Sequence, residues 1–71
     1  MKPEVWIERF SASLGTEAPD STQVEELLEL AAVAAHASER TAAPIACYLA
    51  GRDGRPVSEL KELADEVDDE D

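Results

Sequence analysis

Large apolar residues return at every third or fourth position in four separate runs along this chain, and the spacers between the runs carry glycine, proline, serine and threonine. In the first run Trp6, Ile7, Phe10 and Leu14 share one arc of about 100° with Glu8 opposite, which is the pattern of an amphipathic helix. Pro3 suits its first turn and Gly15 its end, so the spacing predicts a helix over 3–14. Residues 16–20, with Pro19, read as a loop. Thr22-Gln23-Val24-Glu25 then has the Ser/Thr-x-x-Glu form of a capping box and opens a second helix over 22–39.

That second helix is nearly apolar all round. Val24, Leu27, Leu28, Ala31, Ala34 and Ala35 fall on one side, and Leu30, Val33 and Ala37 continue the apolar surface around the back. Glu25, Glu29, His36 and Arg40 form the single polar strip, so this helix belongs at the centre of its domain or against a partner. Pro44 lacks an N–H and disfavours helical geometry at Ala43, which ends the run and places a third, short helix over 44–51, with Ile45, Tyr48 and Leu49 on one face. Asp53-Gly54 signals a turn. Pro56 opens a fourth helix over 56–67, with Val57, Leu60, Leu63, Ala64 and Val67 opposite Glu59, Glu62 and Glu66.

The expected fold is all-α: a small four-helix domain, orthogonal or bundle-like, over 1–67, with the second helix central. Its core is expected from Trp6, Ile7, Phe10, Leu14, Leu27, Leu28, Ala31, Ile45, Tyr48, Leu49, Leu60 and Leu63. Six of the seven residues from Asp65 to Asp71 are acidic and oppose the helix dipole there. The fourth helix should therefore fray, and residues 68–71 should form a disordered acidic tail.

Charge narrows the range of partners. Seventeen acidic residues against six basic ones give a formal net charge of −11, which repels phosphate backbones and anionic lipid, so neither nucleic acid nor membrane is an expected partner. The acids suit solubility first; a basic partner or mimicry of nucleic acid are the other uses of such a surface. At 71 residues a single core supplies little stability, which leaves each large apolar side chain significant. One cysteine, Cys47, makes no internal disulfide, and with no signal-peptide stretch or long apolar run the expected location is the cytoplasm.

The chemistry-bearing residues are few. A Cys47–His36 nucleophile pair would need both on one surface, whereas His36 falls on the solvent strip and Cys47 beside an apolar face. His36 has no second ligand nearby for a metal, and Gly15, Gly51 and Gly54 stand singly at predicted helix ends rather than in a phosphate loop. The chain is therefore expected to be no enzyme, with no metal site and no cofactor. The cluster that remains is His36, Glu39, Arg40, Thr41 and Pro44, where the second helix meets the third. Its cations could simply face the partial negative charge of a helix end. Alternatively His36, Glu39, Arg40 and Pro44, with Arg52 and Arg55 if they fold nearby, form a docking surface for a carboxylate, a phosphate or a protein. Trp6 reads as core or as an interface anchor.

The strings Trp6-Ile7 through Leu14-Gly15, Leu28-Glu29-Leu30-Ala31, Ala35-His36-x-x-Glu39-Arg40-x-Ala42-Ala43-Pro44-Ile45 and Tyr48-Leu49-x-Gly51 together resemble a small bacterial helical domain family of unknown function. That family occurs free-standing and as an appendage to the nucleotidyltransferase domain of molybdenum cofactor guanylyltransferases. The resemblance covers about Val5 to Gly51, and its most specific part is the segment from Ala35 to Pro44. It implies an accessory or docking module in molybdenum cofactor maturation whose partner, a nucleotidyltransferase-type enzyme, supplies the chemistry. His36, Glu39 and Arg40 would be its polar contact and exposed alanine or leucine of the second helix its apolar one. The alternative is a self-associating structural protein that hides its surplus apolar surface in a homodimer.

Overall fold

The structure, a computed structural model, describes residues 1–67, so the expected acidic tail at 68–71 lies outside the described residues. The described residues form four helices and no strand: α1 (Pro3–Leu14), α2 (Ser21–Ala37), α3 (Ala42–Asp53) and α4 (Val57–Val67).

Pro3 opens α1 as expected, where a missing N–H costs nothing. Gly15 closes it in left-handed geometry at φ 75°. Its N–H donates to the Ala12 carbonyl and the Thr16 N–H reaches back to that of Ser11, so two end carbonyls are satisfied at once. The opening of α2 differs from the predicted one by two residues. Asp20, not Thr22, is the cap: its Oδ1 accepts from the Gln23 N–H at 2.8 Å, while Gln23 Oε1 accepts from the Asp20 N–H at 3.0 Å. Both pairings keep a three-residue spacing, and the carboxylate is the acceptor that fits best at a helix N-terminus, where it also meets the positive end of the dipole.

The third helix is longer than predicted at both ends. The Ala42 and Ala43 N–H groups donate to the Glu39 and Arg40 carbonyls at 2.8 and 3.1 Å, a tight turn that leads into the helix and places Pro44 in its first turn, where it is still tolerated. Gly51 is not the stop. The helix runs through it to Asp53, and Gly54 at φ 86° is the left-handed cap. After the cap, Asp53 Oδ1 accepts from the Arg55 N–H at 3.2 Å, and the Pro56 carbonyl accepts from Glu59 and Leu60 to begin α4.

Packing centres on α2, which meets both α3 and α4 extensively. This explains its apolar character on all but one strip: Glu25, Glu29, Ala32 and His36, at helical spacing, are its exposed line, while Val24, Leu27, Ala31, Val33, Ala34 and Ala35 are half-buried and Leu30 is 3% exposed. The molecule measures 39 × 24 × 18 Å.

The expected core needs correction. The buried apolar residues are Leu30 and Ala50, neither of them among the expected twelve, whereas Trp6, Phe10, Leu14, Leu28, Ile45, Tyr48, Leu49 and Leu63 are exposed. Two rotations account for most of this. In α1 the protected side chains are Ile7 and Ser11, the latter buried with its hydroxyl donating to the Ile7 carbonyl at 2.7 Å, so the neighbouring line Trp6-Phe10-Leu14 points outward. In α3 the protected side chains are Ala43, Ala46, Cys47 and Ala50. Cys47 Sγ sits 3.9 Å from the Leu27 carbonyl oxygen, so this small-residue face is the one applied to α2. With this small-residue face inward, the large side chains of α3 are turned away from α2.

Candidate interaction surface

The sequence cluster at the α2–α3 junction is assembled, but loosely. His36 lies in the last turn of α2; Glu39 and Arg40 follow the helix end at Ala37, and Pro44 is in the first turn of α3. All four are exposed. Because α2 stops at Ala37 rather than at 39, Arg40 is not on the same helical strip as His36, and the polar line on α2 ends at His36. The side-chain hydrogen bonds of the described residues are made elsewhere, so nothing ties Arg40 to the junction carbonyls.

Two of the junction's backbone donors are already engaged. Ala42 and Ala43 have spent their N–H groups on Glu39 and Arg40, and Pro44 has none.

Arg52 and Arg55 do not join this cluster. Ten residues of helix separate Arg52 from Ala42, about 15 Å of rise, which places it toward the far end of α3. Its guanidinium lies over the Tyr48 ring, 5.6 Å from the centroid. Arg55 makes a two-pronged pair with Asp53, Nε to Oδ1 at 2.7 Å and an η-nitrogen to Oδ2 at 2.9 Å. That contact and the backbone bond beside it hold the Asp53 carboxyl below its ordinary pKa, and the same carboxylate raises that of Arg55. Both groups are at the surface, so the pair fixes the α3–α4 turn more than it stabilises the fold.

His36 instead borders a shallow groove of about 300 Å³ between α2 and α4, lined by Ala32, Val33, His36, Ala37 and Asp65. A second groove of about 250 Å³, lined by Leu30, Leu49, Ala50, Leu60, Leu63 and Val67 among others, runs where α2, α3 and α4 meet and is almost wholly apolar. The Cys47–His36 pair is ruled out by position: Cys47 contacts Leu27, and nine residues of helix, about 13 Å, lie between Leu27 and His36. Among the described residues no group of three or more His, Cys, Asp or Glu side chains is arranged to hold a metal ion. No helix among them is long and apolar enough to cross a membrane.

What sequence reasoning missed is which large apolar side chains are left outside. Trp6 is 54% exposed and stacks on Phe10 with ring centroids 5.1 Å apart, forming an aromatic pair with Leu14 continuing its line. On α3, Ile45, Tyr48 and Leu49 are 60%, 61% and 54% exposed. The chain exposes 5698 Å², about 1,400 Å² more than a folded monomer of 7.7 kDa normally does. A signal was present in the sequence. The two positions between Ile45 and Tyr48 are alanine and cysteine, themselves apolar, so either face could have been the inner one.

A small all-helical domain built on one central helix, with apolar side chains left at its surface, is the class these observations define. Over residues 2–70 the chain matches a family described as a domain of unknown function, DUF6457, and it belongs to that family. Among curated proteins none matches it, and among solved structures none does.

Proposed function

We propose that this chain is a non-catalytic protein-interaction module. What supports the reading is the exposed apolar surface, carried by large side chains that are about half or more exposed. The side chains that make it, Trp6, Phe10, Ile45, Tyr48 and Leu49, include the aromatic types that anchor interfaces.

The partner on this reading is a nucleotidyltransferase-type enzyme of molybdenum cofactor guanylation, on the strength of the resemblance carried by Ala35 to Pro44. Its contact is the end of α2, where His36 borders the groove with Ala32, Val33 and Ala37, and where Glu39, Arg40 and Pro44 supply exposed polar and rigid groups. The chemistry belongs to the enzyme, and this chain binds it.

The test is titration of the purified chain into a molybdenum cofactor guanylyltransferase by calorimetry, with Arg40→Glu as the comparison. Wild type should bind, and reversing this charge should weaken binding by about tenfold or more. Helical circular dichroism and melting temperature should stay near wild type, because Arg40 is exposed. Unfolding of the variant would assign Arg40 to the helix end instead, and no binding by wild type would overturn the link to the pathway.

A further inference from the structure

We propose that the outward stripe of α3, formed by Ile45, Tyr48, Leu49 and Arg52, is the surface through which two copies of this chain associate. The surface is distinct from the α2 end assigned to an enzyme partner. It is carried by the rotational phase of α3 and by the distribution of charge.

The phase of α3 is that of a helix with two neighbours. Its half-buried or buried alanines and Cys47 are on the side applied to α2, and its large apolar residues recur at positions 45, 48 and 49 on the other side, spaced as in a helix that packs on another helix. Arg52 extends the stripe by lying over Tyr48, its charged end at the rim. A stripe of this kind is self-complementary about a two-fold axis: two α3 helices crossing antiparallel bring Tyr48 and Leu49 together at the axis.

Charge selects the same segment. The chain carries −11, and most of its surface would set carboxylate against carboxylate in a dimer. Residues 9–16, 30–38 and 40–55 are acid-poor, and of these 40–55 is the richest in bases, holding three of the six basic residues and, of the 17 acidic ones, Asp53 alone. Asp53 is already paired with Arg55. Two copies of this acidic chain can therefore approach through α3 without opposing acids.

Sedimentation equilibrium of the whole chain from about 1 µM to about 1 mM tests the proposal. Wild type should reach twice the mass of a 7.7 kDa chain. Tyr48→Glu should raise the dissociation constant by about thirtyfold or more, the scale of an interface hot spot, while Ser58→Glu, which adds the same charge on α4, should not. Leu49→Ala serves if the glutamate variant unfolds, and should weaken association in the same direction. A monomer at every concentration overturns the proposal, as does a dimer indifferent to both Tyr48→Glu and Leu49→Ala. The calorimetric titration with Arg40→Glu is read separately. A dimer that binds no guanylyltransferase keeps this inference and loses the pathway link; a monomer that binds one does the reverse.

Discussion

Gly51 and Gly54 stand three positions apart and ask opposite things of the backbone. Gly51 is inside α3 in helical geometry, with open space where a Cβ would stand; Gly54 has equal space but sits at φ 86°, where an L side chain is strained. Gly51→Ala should therefore stabilise the protein by about 0.5–1 kcal/mol, and Gly54→Ala should destabilise it by about 1–2 kcal/mol. In thermal denaturation each kcal/mol moves the midpoint by roughly 4–8 °C for a domain of this size. Equal shifts in the same direction would show that the left-handed geometry of Gly54 is not what ends α3. Pattern reading places the helix stop at Gly51 because both glycines follow the apolar run and each can close a helix. The left-handed residue is decided by where Asp53 and Arg55 can lock the following turn, and that is a contact rather than a spacing.

Among the elements, the spans of α1 and α4 are the most legible in the sequence, because Pro3, Gly15 and Pro56 each fit one place in a helix, although the inner face of α1 is not. The cap of α2 is less so. Asp20, Ser21 and Thr22 are all good caps, and Gln23 and Glu25 both provide a partner three residues on. The structure selects Asp20 with Gln23. Asp20→Ala should cost about 1 kcal/mol in a denaturant titration, whereas Thr22→Ala, inside the first turn, should fall within about 0.5 kcal/mol of wild type. A larger loss at Thr22 would restore the predicted capping box. The phase of α3 was the part that periodicity misassigned, for a physical reason. Burial of large side chains usually sets the inner face of a helix, but here the small residues Ala46, Cys47 and Ala50 of α3 lie toward Leu27 and Leu30 of α2. For the candidate site, the sequence brought His36, Glu39, Arg40 and Pro44 to one junction, which the structure keeps; it could not show that Arg52 and Arg55 are engaged at the other end of α3.

On the scale of the whole molecule, charge and apolar surface pull in opposite directions, and ionic strength separates them. Each chain carries a formal −11, so two copies repel at long range even when the α3 stripes that meet are nearly free of acids. Raising salt from about 10 mM to about 500 mM shortens the screening length from roughly 30 Å to roughly 4 Å, which removes the repulsion between surfaces that do not touch. The apolar contact of Ile45, Tyr48 and Leu49 is untouched by this change. Self-association should therefore tighten with salt, by about tenfold over that range, and the change should be monotonic in sedimentation equilibrium. Capture of a partner through Arg40 has the opposite dependence, because the attraction of its guanidinium for a carboxylate is what salt screens. Association that weakens as salt rises would mean that ion pairs rather than the α3 stripe hold the copies together, and it would move the interface from α3 to a surface where the acids of one chain meet the few bases of the other.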